Sequence, residues 1–221
     1  MTEKLIQGAE KLSLNLSAGQ LESLETYIQC VLDFNKTYNL MKADSADELA
    51  VNHVLDSLAG VKTLSSLMEA LTSAGADTPL SICDVGSGGG CPGIPLSVAF
   101  PQASFTLIER MEKRCDFLND AISRMKLTNV KVCCAQANTV PKASFDIAVF
   151  RAFHPFDPKI TKLLMGLIKK DGYLMAYKAR EEKIKAEMEA VSFMIPHYRR
   201  IPITVPFLED HERNLVVVKK S

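Results

Sequence analysis

The sequence predicts an α/β fold: a mostly parallel, Rossmann-like sheet covered by helices on both faces. Three observations carry that prediction. Short apolar, β-branched runs alternate with helical stretches from residue 80 onward, the pattern of strands joined by crossover helices. The run Leu80-Ser81-Ile82-Cys83-Asp84-Val85 passes straight into a turn holding four of the chain's eleven glycines within residues 86–90, with a fifth at Gly93. Two carboxylates, Asp84 and Glu109, stand at the ends of successive predicted strands. Glycine so dense lets backbone approach a ligand where a side chain would clash. Together these features place a nucleotide-type ligand at the carboxyl edge of a parallel sheet.

The elements follow in order. Leu5 to Leu14 reads as a short helix or ordered arm. Ser17 begins a clear helix, with Gln20 completing a capping box and Leu21, Leu24, Ile28, Val31 and Leu32 at helical spacing. A second helix is expected around Ser45 to Glu69, and Thr72 to Pro79 reads as a linker. The sheet starts with Ser81–Val85. Pro92 and Pro95 fit only the first turn of a helix, which therefore starts near Gly93 and runs to Phe100. Further strands are expected at Ser104–Ile108, Val130–Cys134, Phe145–Phe150, Gly172–Lys178, Arg199–Val205 and Asn214–Lys219, with helices at 111–125, 157–170 and 181–194. The last two strands, joined without a helix, imply an antiparallel hairpin that closes the sheet. The chain thus divides into a helical extension, 1–79, and a ligand-binding domain, 80–221.

Composition narrows the class. No 18-residue apolar run exists, so nothing is expected to span a membrane, and Met1-Thr2-Glu3-Lys4 does not lead into a secretory signal. Six cysteines without paired spacing fit reduced thiols and a cytoplasmic protein. Four scattered histidines and the absence of a ligand-spaced cluster predict no metal site. Zero net charge hides a split: residues 1–79 hold five Lys/Arg against eleven Asp/Glu, and residues 80–221 hold twenty-one against fifteen. A basic second half is compatible with an RNA substrate; Lys113, Arg114, Lys178, Arg180, Arg199 and Arg200 are the candidate RNA contacts, although a solvated charged face is the bland alternative for each.

Which ligand sits on the loop follows from charge. A dinucleotide needs a helix N-terminus to receive its pyrophosphate, yet Pro92 and Pro95 have no N–H to offer. Asp84 would repel a phosphate and suit a cation. S-adenosylmethionine carries an ammonium and a sulfonium and no phosphate, so it is preferred over NAD.

The run Asp84-Val85-Gly86-Ser87-Gly88-Gly89-Gly90-Cys91-Pro92-Gly93-Ile94-Pro95-Leu96 closely resembles the glucose-inhibited division protein B family, bacterial 16S ribosomal RNA guanine-N7 methyltransferases. Tyr38-Asn39-Leu40, His53 to Leu58, Lys113-Arg114, Arg151-Ala152-Phe153 and Arg213 to Val217 resemble its other signatures in order. The resemblance implies a class I S-adenosylmethionine-dependent methyltransferase fold and 16S rRNA, naked or in the small ribosomal subunit, as substrate; a monomer without membrane attachment is expected. Asp84, Gly86, Ser87, Gly88, Gly90 and Cys91 would form the cofactor loop, Glu109 would meet the ribose hydroxyls, and Ala137 and Asn138 would lie beside the adenine. Arg151 would contribute to the cofactor or active site, holding the methionine carboxylate, a phosphate or the O6/N7 edge of guanine; a simple pairing with Asp84 is the alternative. His53 and His154 are lesser candidates. Departures from the family pattern stand at Asn138, where relatives often carry glutamate, and at Phe150, Ala179 and Cys91; they bear on substrate fidelity. Other readings are a methyltransferase of a small molecule or protein, and a nucleotide-binding oxidoreductase or non-catalytic cofactor sensor.

Overall fold

The computed structural model describes residues 2–43 and 45–221. Seven strands form one sheet in the order β3-β2-β1-β4-β5-β7-β6, comprising β1 (Ser81–Val85), β2 (Ser104–Glu109), β3 (Val130–Cys134), β4 (Phe145–Arg151), β5 (Ile168–Lys178), β6 (Arg199–Pro202) and β7 (Asn214–Lys219). The first five pair in parallel, and β7 enters antiparallel between β5 and β6. The chain order reverses beside β1, where its neighbours are β2 and β4; such a switch point opens a crevice at the carboxyl ends of the strands.

Helices α6 (Gly93–Ala99), α7 (Glu112–Arg124), α8 (Pro158–Leu167) and α9 (Glu181–Ala190) connect the strands. One sheet face packs β1, β4, β5 and β7 residues such as Val85, Ala148, Ala176 and Val216 against Leu164, Ile184 and Met188 of α8 and α9. On the opposite face α5 (Val61–Ser73) packs with Leu96 and Phe100 on the sheet, and α1 (Glu3–Lys11) and α2 (Ala18–Asn35) extend that side of the core. Leu24, Tyr27, Ile28 and Val31 of α2 share one core with Ile94, Leu107, Phe117 and Leu118, so these helices complete the core of the sheet they precede. Full burial of each such side chain contributes roughly 1.5–3 kcal/mol. The Ser17–Gln20 capping box is formed, with both reciprocal hydrogen bonds present.

Three expectations are revised. The helix anticipated over 45–69 is broken into α3 (Ala46–Leu49), a π-helical stretch (Ala50–Leu55), α4 (Asp56–Leu58) and then α5. Gly60 sits at the break because a side chain there would collide with the Tyr177 hydroxyl, which donates to the Ser57 carbonyl at 2.6 Å. The helix expected at 157–170 ends at Leu167, since Ile168 already pairs with Phe145 and is fully buried in the sheet. The strand expected at 199–205 stops at Pro202, with the Ile203 amide still donating to the Arg213 carbonyl at 2.9 Å just beyond it.

Candidate active site

The glycine loop leaves β1 at the switch point and is fixed by its own polar partners. The Asp84 carboxylate, wholly buried, accepts through Oδ2 from the Ser87 hydroxyl at 2.8 Å and the Gly93 amide at 2.9 Å. Its Oδ1 is buried without a partner among the described residues. Burial pushes the carboxyl up to about 6, against the Ser87 and Gly93 hydrogen bonds and the nearby Arg151 charge. The first amide of α6 is thus already spent on Asp84, and the next, Ile94, donates to Gly90; little remains for a pyrophosphate. Gly88 adopts φ +58°, and a Cβ there would meet nothing closer than a backbone oxygen at 3.9 Å, so its outer face is open. Its amide donates to Glu109 Oε2 at 2.9 Å, while Oε1 accepts the Arg110 and Met111 amides, each at 2.9 Å. An unpaired buried acceptor, an open glycine and a carboxylate at the β2 tip fit a cationic cofactor with ribose hydroxyls. Ala137 and Asn138 form a 3-10 turn just beyond β3, beside that tip through the Ala135 amide to the Glu109 carbonyl. Cys91 turns its thiol inward to the Tyr27 hydroxyl, 3.2 Å away, leaving only its backbone on the loop.

A second concavity adjoins the loop. A cavity of about 550 Å³ opens between the ends of β4 and β5 and is lined by Asn52, His53, Asp56, Arg151, Phe153 and Arg213 among others. Arg151 donates to Asp56 Oδ2 at 2.6 Å and to the Asn52 carbonyl at 3.1 Å, and its second terminal nitrogen lies 3.0 Å from His53 Nδ1. Arg213 holds the other Asp56 oxygen through Nε at 3.0 Å. Asp84 is therefore not the partner of Arg151: it faces Ser87 and Gly93, and the π-helical stretch carries Asp56 to the guanidinium instead. Two guanidiniums share one buried carboxylate, so the cavity floor keeps a net positive charge. Burial, reinforced by the Arg151 charge, pushes His53 below its ordinary value; the neutral ring then accepts from Arg151 at Nδ1 and carries its proton on Nε2.

Phe153 joins the two regions. It lines the cavity, and its ring lies against Gly86, where any side chain would strike it. His154, exposed, stacks edge-on against Phe153 with ring centroids 4.9 Å apart. Phe153, Asp56 and Arg213 each fall inside a family signature, yet only their positions in the fold show that they converge.

The expected RNA contacts divide into three places. Lys113 lies 4.5 Å over the Tyr38 ring, and Arg114 stands 3.9 Å from Glu109, both beside the loop. Lys178 lines the cavity but is held by Glu187 at 2.6 Å, and Arg180, nearby, is exposed. Arg199 is exposed on the edge strand β6, and Arg200 beside it pairs with Glu181 at 2.9 Å. Among the described residues no cluster of metal-ligating side chains occurs, and no helix is long and apolar enough to cross a membrane.

Similar proteins identify the fold and the family. A tRNA (m1A58) methyltransferase from Aquifex aeolicus superposes with a TM-score of 0.55 at 15% identity, covering 76% of this chain and 68% of that one. A predicted O-methyltransferase from Agrobacterium tumefaciens gives 0.54 at 17% identity, over 76% and 80%. These show the class I methyltransferase fold. Ribosomal RNA small subunit methyltransferase G of Treponema denticola is 34% identical over 98% of this chain and 93% of its own length, and that of Bacillus licheniformis 30% over 99% and 90%. The model of the rRNA small subunit methyltransferase G family matches residues 20–216, and the chain belongs to that family.

Proposed function

We propose that this protein methylates N7 of a guanine in the decoding-region loop of 16S ribosomal RNA, acting in the cytoplasm as a monomer on naked rRNA or the small ribosomal subunit. S-adenosylmethionine is the methyl donor of the family and fold, and supplies an electrophilic methyl group on a sulfonium. Asp84, Gly86, Ser87, Gly88 and Gly90 hold its amino-acid end, with the unpaired Asp84 Oδ1 offered to the ammonium. Glu109 takes the ribose hydroxyls, and Ala137 and Asn138 border the adenine.

The observation that carries the reading is the contact between the two concavities at Phe153. A base entering the Arg151 cavity lies against the ring that touches the glycine loop, which brings acceptor and donor together. Guanine N7 is a neutral lone pair with no proton to remove, so the protein need only align it. The site is built accordingly: a neutral His53, two arginines tied down by Asp56, and no activated base. Arg151 and Arg213 present a fixed cationic floor to an O6/N7 edge or its phosphate, while Phe153 offers a face for stacking.

Mass-spectrometric mapping of N7-methylguanosine in small-subunit rRNA, from cells with and without the gene, tests the reading. Loss of one modified guanosine on deletion, restored by the wild-type gene, is expected; an unchanged profile contradicts it.

A further inference from the structure

The glycine loop is held from behind by a residue that precedes the sheet altogether. Tyr27 of α2, 1% exposed, donates its hydroxyl to the Gly89 carbonyl at 2.6 Å across 62 residues of sequence. The same hydroxyl lies 3.2 Å from Cys91 Sγ and 3.5 Å from Met41 Sδ. Met41 fills the space that a Gly89 side chain would need. Asn35, at the end of α2, fixes that methionine: its Oδ1 accepts the Leu40 and Met41 amides at 3.0 and 3.3 Å, and its Nδ2 donates to the Met41 carbonyl at 2.7 Å. Burial raises the Tyr27 phenol well above its ordinary value, so the hydroxyl stays protonated as a donor.

We propose that Tyr27 is a positioning residue for cofactor binding, clamping Gly89 from the core side so that Gly88 faces outward to the ligand. The loop is gripped on two sides. Glu109 holds the Gly88 amide in front, and Tyr27 holds the next carbonyl behind. Glycines have the widest choice of backbone conformation, so a loop with three in a row gains order from such outside grips beyond its own Gly90 amide to Ser87 carbonyl bond at 2.7 Å. On this account α2 does more than cover the sheet: it preorganises the cofactor site. The inference rests on the proposed placement of the cofactor over Gly86–Gly90.

The test uses the full chain and the demethylated cofactor, S-adenosylhomocysteine, as the calorimetric probe. Tyr27→Phe removes one hydrogen bond and keeps the ring; the cofactor Kd and the KM for S-adenosylmethionine are expected to rise about five- to tenfold, with the KM for rRNA unchanged within about twofold. Leu71→Ala, in the core beneath α5, is expected to lower Tm without moving the cofactor Kd. Wild-type cofactor affinity in Tyr27→Phe, or an equal rise in Leu71→Ala, overturns the proposal. Should Tyr27→Phe not fold, Asn35→Ala releases Met41 from beneath Gly89 and is expected to give the same cofactor-selective rise; unchanged affinity there overturns it equally. Gly88→Val separates the two claims. Normal binding in that variant refutes the cofactor's placement, whereas its loss with normal Tyr27→Phe binding refutes the clamp alone.

Discussion

The glycine loop and the arginine cavity lie side by side at the carboxyl edge of the sheet and are made in opposite ways. The loop is contiguous, residues 84–93 plus Glu109, and its working surface is backbone. The cavity gathers side chains from positions 52–56, 151–155, 177–179, 187, 203 and 213, and its working surface is charge. The first achieves ligand approach by omitting side chains; the second achieves orientation by cross-bracing them. A substitution in the loop is therefore expected to act on one ligand, the cofactor, and a substitution in the cavity on the other, the acceptor.

The largest effect is expected from Gly88→Val. The position has open space but a left-handed φ of +58°, so the variant combines backbone strain of about 1–3 kcal/mol with a side chain on the ligand's side. Cofactor binding should weaken at least about a hundredfold, while circular dichroism shows an intact fold. Arg151→Ala follows. With Arg151 tied to Asp56, Asn52 and His53, its loss should lower kcat/KM for rRNA about a hundredfold and leave the S-adenosylhomocysteine Kd within about threefold. Asp56 would keep only Arg213, so a lower Tm is expected as well. Arg151→Lys keeps the charge but cannot span three acceptors, and should restore stability more than activity.

How far these regions were legible differs for a physical reason. The loop could be read directly, because glycine density, flanking prolines and two strand-tip acids are local in sequence. The seven strands and the Ser17 capping box were legible likewise, through period and cap chemistry. The cavity was not. Arg151 could be placed at the tip of β4, with Asp84 only an alternative partner, but Asp56 was not legible: a uniform helical pattern over 45–69 gives no sign of the π-helical stretch that leads to it. Tyr27 is not singled out by the apolar spacing of α2, and nothing local reveals that its hydroxyl ends at Gly89. Lys178 reads as a free cation, and only the fold brings Glu187 to it.

Smaller effects sharpen the comparison. Glu109→Gln keeps the shape and most amide contacts but weakens hydrogen bonds to hydroxyls; a loss of about 1–2 kcal/mol in cofactor affinity is expected by calorimetry. Acidity should act on the loop in the same sense. Asp84, raised to about 6 by burial, must ionise to hold an ammonium, so the cofactor Kd should rise roughly tenfold from pH 7 to pH 5. Asp84→Asn should flatten that profile. In the free protein the sign is reversed: the folded state binds the extra proton, so the stability contributed by Asp84 falls as pH rises from about 4 through about 6 and levels off above.

The division of labour is tested most directly by titrating S-adenosylhomocysteine and an rRNA fragment into Gly88→Val and Arg151→Ala in parallel. The account expects a crossed result, in which Gly88→Val loses the cofactor and retains the RNA while Arg151→Ala retains the cofactor and loses productive use of the RNA. Two variants that lose the same ligand would show that loop and cavity form a single site, and would contradict it.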